Sequence, residues 1–144
     1  MIEKDTVNLL LECKRGIEMA ISSIDDMKDA VTSDRMKDLL INSRREHESV
    51  LVEVDDLLRE YHGDKNGASA LLKGMSYVKT KLSLAMNSSD HNVAAMMIDG
   101  CNMGIKSLSK YLNEYAAASE FSKDVAKKLI AAEDTLAHNL RAYL

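Results

Sequence analysis

Apolar residues recur along this chain at steps of three, four and seven, the spacing of one buried helix face. Leu10, Cys13, Ile17, Ile21, Ile24 and Val31 form the first such stripe and predict a helix over about 5–31. Residues 32–35, Thr-Ser-Asp-Arg, give a tight connection in which Thr32 or Ser33 can cap the next helix. A second stripe, Met36, Leu40, His47, Leu51, Val54, Leu58 and Tyr61, carries that helix to about residue 62. Two glycines in His-Gly-Asp-Lys-Asn-Gly, 62–67, then end it.

A third stripe, Leu71, Met75, Val78, Leu82 and Met86, predicts a helix over 68–86. At ~1.5 Å per residue it would run the height of its neighbours. Asn-Ser-Ser-Asp-His-Asn, 87–92, is rich in capping residues, and a helix from about Asp90 to Ala118 follows. Its stripe is Ala94, Met97, Cys101, Ile105, Leu108, Leu112 and Tyr115. Ser119 or Ser122 starts the last helix, with Val125, Leu129, Leu136, Leu140 and Tyr143 on one side. Two long helices joined by a short turn make an antiparallel hairpin, and the pattern occurs at 5–62 and again at 90–143. The expectation is a single all-α domain over 1–144: a four-helix bundle of two hairpins, with 68–86 as a long helical crossover.

Composition agrees with a helical reading. The 144 residues include no proline, no tryptophan and one phenylalanine, so the turn and aromatic punctuation of a β-sandwich or barrel is missing. A net charge of −4 with both signs mixed offers no basic field for nucleic acid or an anionic membrane. No apolar run approaches the ~20 residues of a spanning helix, and the opening residues do not read as a signal peptide. Two cysteines are too few for a disulfide scaffold. A cytoplasmic protein is the expectation. No phosphate-cradling glycine loop follows a strand, and no nucleophile–base–orienter set assembles, so the enzyme reading leans to no.

Four pieces carry a resemblance: Gly-Ile-Glu-Met-Ala (16–20), Arg-Arg-Glu-His-Glu-Ser-Val-Leu (44–51), the glycine-led segment 67–82, and 97–111. In this order and spacing they resemble a bacterial branch of the ferritin-like superfamily that has no assigned function. Related metalloproteins such as rubrerythrin place a Glu on the first helix of each pair and a Glu-x-x-His on the second, all pointing inward. By core phase the first-helix Glu position falls on Cys13, while Glu12 and Glu18 lie off the stripe. The next two ligand positions fall on Arg44 and His47. Cys101, after Gly100, takes the third-helix Glu, and Glu133 and Leu136 take the last pair. His138 faces away from that stripe. Only His47 and Glu133 keep ligand chemistry, so the resemblance implies the fold but a degenerate di-iron centre.

Two readings of these residues follow. In one, His47, Glu133, Cys13 and Cys101 form an altered metal site, for iron or, with thiolate and imidazole donors, for tetrahedral zinc. In the other, no cofactor is held: Arg44 pairs with Glu133, His47 bonds a neighbour such as Glu133, and the cysteines are small buried hydrophobes. The second is preferred, because an Arg at the centre would repel two cations. The other conspicuous residues have structural readings. Met75, Met86, Met96, Met97 and Met103 read as core filler, and the acidic pairs at 25–26 and 55–56 as solvated surface. Tyr111 and Tyr115 would pack on the crossover, and Gly100 and Gly104 would let it approach. The expected role is that of a non-enzymatic interaction or oligomerisation module, a homodimer or the binder of another protein, with metal binding as the alternative.

Overall fold

A computed structural model describes residues 2–61 and 89–144. The crossover expected over 68–86 lies outside them. The described residues form four helices, α1 (Ile2–Met27), α2 (Asp34–Glu60), α3 (Asp90–Glu114) and α4 (Glu120–Leu140), and a short 3-10 turn (Arg141–Tyr143). None of these helices is long and apolar enough to cross a membrane.

Serines start three of the four helices. Ser33 Oγ accepts from Met36 N at 3.2 Å, Ser89 Oγ from Asn92 N at 3.4 Å, and Ser119 Oγ from Ser122 N at 3.2 Å. Asp34, Asp90 and Glu120 follow them in the first turn, where a negative charge suits the helix dipole. Two helix ends come earlier than the apolar stripes suggested. α1 stops at Met27, and Ala30 N turns back to Met27 O at 2.9 Å, yet Val31 remains buried as a plug below the helix. α3 stops at Glu114 rather than 118 because α1 takes the following N–H groups. Asp5 Oδ2 accepts from Ala117 N at 3.0 Å and Thr6 Oγ1 from Ser119 N at 2.8 Å.

Side-chain rungs fix the topology. Lys14–Asp55 at 2.9 Å and Arg44–Asp25 at 2.6 Å pair α1 antiparallel to α2. Lys128–Glu53 at 2.9 Å and His47–Glu133 at 2.7 Å pair α2 antiparallel to α4. The Asp90 carboxylate accepts from Thr32 N at 2.8 Å and Ser33 N at 2.9 Å, so α2 and α3 begin at the same end and run parallel. The described helices are therefore two antiparallel hairpins, with the end of α2 and the start of α3 at opposite ends of the bundle.

The core falls into two apolar halves. One joins Ile24, Met27, Val31, Met36, Leu40, Val93, Ala94, Met97, Cys101, Leu136, Ala137 and Leu140. The other joins Leu9, Leu10, Cys13, Ile17, Val50, Val54, Leu58, Leu108, Ala118, Val125, Ala126 and Leu129. Each buried Leu or Ile contributes about 1.5–3 kcal/mol. On α2 the break between the halves falls at Ser43 and His47, and on α4 at Glu133. On α3 it spans Gly104. A polar layer thus divides the bundle across its middle.

Candidate functional site

His47 is fully buried and Glu133 is 8% exposed, so this layer removes two ionisable side chains from water. Such burial is costly unless both are paired and hydrogen-bonded. His47 Nδ1 stands 2.7 Å from Ser43 O, one helical turn back, and 3.4 Å from Ser43 Oγ. His47 Nε2 stands 2.7 Å from Glu133 Oε1. The Cys101 thiol on α3 lies near enough to feel the Glu133 charge. Gly104 backs it: a Cβ there would lie 3.8–4.0 Å from the Glu133 Cδ, Oε2 and Cγ atoms.

Both ring nitrogens of His47 face oxygens that accept. A carbonyl oxygen has no proton to give, so Nδ1 must donate to Ser43. A second proton must lie between Nε2 and Oε1. It can be written on the ring, giving imidazolium and carboxylate, or on Glu133, giving two neutral groups. The proton count is the same in both forms, and the pair as a whole is uncharged.

The electrostatics agree. Burial works against the charged ring, but the Glu133 hydrogen bond and negative charge, with smaller help from Ser43 O and Glu46, hold the His47 pKa above its ordinary value. The cysteines move away from reactivity. Burial, aided by the charge of Glu12, pushes the Cys13 thiol up to about 12. Burial, then the Glu133 charge and hydrogen bond, raise Cys101 as well. A thiol so held is not a nucleophile at neutral pH.

The sequence candidates do not all meet. His47 and Glu133 meet in one layer, and Cys101 belongs to the apolar half that borders it. Cys13 does not: it is packed among Leu9, Leu10 and Ile17 in the other half of the core, because its helix runs antiparallel to α3 and brings it level with Leu108. Arg44 is not in the centre and does not pair with Glu133. It lies about 60° around α2 from His47, and its long side chain reaches outward. Its Nε and Nη2 donate to Asp25 Oδ1 and Oδ2 at 2.6 and 3.1 Å, and Glu48 pairs with it from its own helix. Among the described residues no three His, Cys, Asp or Glu side chains are arranged to hold a metal ion.

Asp25 and Asp55 are not simply solvated, since they take Arg44 and Lys14. The Arg44 hydrogen bond holds Asp25 below the usual carboxylate range. Asp56 pairs with Arg59 on the surface at 2.8 Å, and His138 is exposed. Met97 is core, Met96 packs against it, and Met103 is 60% exposed. Met75 and Met86 lie outside the described residues. Tyr111 and Tyr115 stack at 6.0 Å, and the crossover expected against them lies outside the described residues. Sequence reasoning missed Ser43 and Gly104 in the layer. Ser43 lies four residues before His47, which is one helical turn, and that spacing was the available signal.

No protein-family model, curated protein or solved structure matches this chain.

Proposed function

We propose that this chain is a non-enzymatic bundle of ferritin-like fold whose centre is a hydrogen-bonded His47–Glu133 pair in place of two irons, and that it acts through its surface by self-association. One observation carries the reading. Both nitrogens of His47 are committed, to Ser43 O and Glu133 Oε1 at 2.7 Å each, so neither has a lone pair left for a metal. The positive charge of Arg44 is neutralised by Asp25 and Glu48 away from that centre. A cavity of about 350 Å³, open to solvent, is lined by Glu3, Lys4, Val7 and Asn8. It lies ~25 Å along α1 from the level of Asp25, so it gives the pair no substrate pocket.

The surface supports the second half of the reading. Phe121 is 76% exposed and Ile2 64%. Ala117 N and Ser119 N of the α3–α4 turn donate to Asp5 and Thr6, which brings Ile2 and Phe121 to one end of the bundle. A second copy of the chain is the partner favoured here, because paired apolar ends remove both from water.

Elemental analysis and light scattering on size-separated protein test both halves. The proposal expects sub-stoichiometric iron and zinc, and a dimer that Phe121→Glu dissociates. Stoichiometric metal lost in His47→Ala would overturn the first half. A monomer at all concentrations would overturn the second.

A further inference from the structure

We infer that the His47–Glu133 pair is a proton lock on the α2–α4 seam, closed by one proton that the unfolded chain releases at neutral pH and opened as that proton leaves. The inference rests on the donor and acceptor count, whatever the bundle binds.

Consider the pair without its shared proton. If the ring keeps Nδ1–H, the bond to Ser43 O survives, but the Nε2 lone pair faces a carboxylate oxygen 2.7 Å away. If the ring keeps Nε2–H, the Glu133 bond survives and the Nδ1 lone pair faces Ser43 O at 2.7 Å. Either way one bond becomes a clash of acceptors. An uncompensated negative charge also remains on a carboxylate that is nearly buried. Among the described residues one partial relief is in reach: the Ser43 hydroxyl, 3.4 Å from Nδ1, can rotate to donate to it.

Among the described residues, the groups around the pair do not supply a substitute cation. On α2, Glu46 adds negative charge near the ring. On α3, Cys101 is a neutral thiol, raised in pKa by burial and by the Glu133 charge. On α1, Asp25 is taken by Arg44 and Lys28. On α4, Lys128 is spent on Glu53, toward the other half of the core. The proton on the ring–carboxyl line is thus the counterweight to Glu133.

The sign follows from linkage. The folded state binds more protons than the unfolded one above the ordinary histidine pKa, so stability is full below ~6.5 and is lost as pH rises through the raised folded value. Across that window the folding constant falls by up to about tenfold per pH unit.

Glu133→Gln separates this from a merely structural pair. A glutamine amide can donate to Nε2 of a neutral ring while Nδ1 still donates to Ser43, so both bonds persist without the extra proton. Melting temperatures of the full chain are measured from pH 6 to 9.5 for wild type, Glu133→Gln and the double variant His47→Leu/Glu133→Leu. The lock expects wild type to lose stability steadily above about 6.5 and both variants to lose their slope there. A flat wild-type profile, or the same slope in either folded variant, would overturn it. Should one variant fail to fold, the wild-type profile and the other variant still decide.

Discussion

Asp90 holds the backbone N–H of Thr32 at 2.8 Å, and so ties the start of the second hairpin to the turn of the first. The same carboxylate accepts from Ser33 N at 2.9 Å and Thr32 Oγ1 at 3.0 Å. It therefore closes the open N-terminus of α2 from another helix, as a cap supplied in trans. Hydrogen bonds from Thr32 N, with those from Ser33 N and the Thr32 hydroxyl, hold its pKa below the usual carboxylate range. Asp90→Ala should cost about 1–2 kcal/mol in denaturant unfolding. A lowered folded pKa means this stabilisation is present above the unfolded value, near 3.8, and lost as pH falls through the folded one. An Asp90→Ala protein as stable as wild type would show the tie to be idle.

Gly104 makes a prediction of the opposite sign. Its absent Cβ would meet Glu133 only at ordinary contact distance, 3.8 Å or more. Alanine is about 1 kcal/mol better than glycine inside a helix. Gly104→Ala should therefore stabilise the bundle by about 0.5–1 kcal/mol and further shield the Glu133 carboxylate. Destabilisation by this variant would mean that the layer is packed more tightly than the distances indicate.

Arg44 and His47 are three residues apart yet should behave differently. The Arg44–Asp25 pair is about one-third exposed, 32% and 37%, and such pairs contribute roughly 0–1 kcal/mol. Arg44→Met should change chemical stability little. His47→Ala leaves Glu133 buried without its partner and should cost about 3–5 kcal/mol. Replacing both, His47→Leu with Glu133→Leu, should recover most or all of that loss. A large Arg44→Met effect beside a small His47→Ala effect would return the polar centre to Arg44.

The cysteines give a kinetic test. Cys13 is completely buried, Cys101 is 3% exposed, and both thiols are pushed up in pKa. Reaction with a thiol reagent in native conditions should be slow for both and limited by unfolding or local opening. Fast labelling of Cys101 alone would reveal a direct opening to the polar layer.

Much of the architecture was legible because periodicity reports burial. Leu10, Ile17, Met36, Leu40, Leu129 and Leu140 lie in the core as their spacing required. Helix phase also brought His47 and Glu133 inward. What phase cannot give is height along the bundle, which depends on how the hairpins are staggered. Cys13 and Cys101 both point inward, yet α1 and α3 place them in different halves of the core. Nor does phase say where a long side chain ends. Arg44 begins near the inward face and finishes on Asp25. Asp90 was legible as a capping residue, but the helix it caps is contributed by distant sequence.

The central claim is that a proton, shared between His47 and Glu133, occupies the middle of this bundle. Nitrogen-15 spectroscopy of the His47 ring near neutral pH reads it most directly. The account predicts Nδ1 protonated and Nε2 engaged with a proton on the line to Glu133, persisting above the pH at which a free histidine loses its charge. A ring with one bare, unengaged nitrogen, or with a nitrogen signal moved by a bound metal, would contradict it.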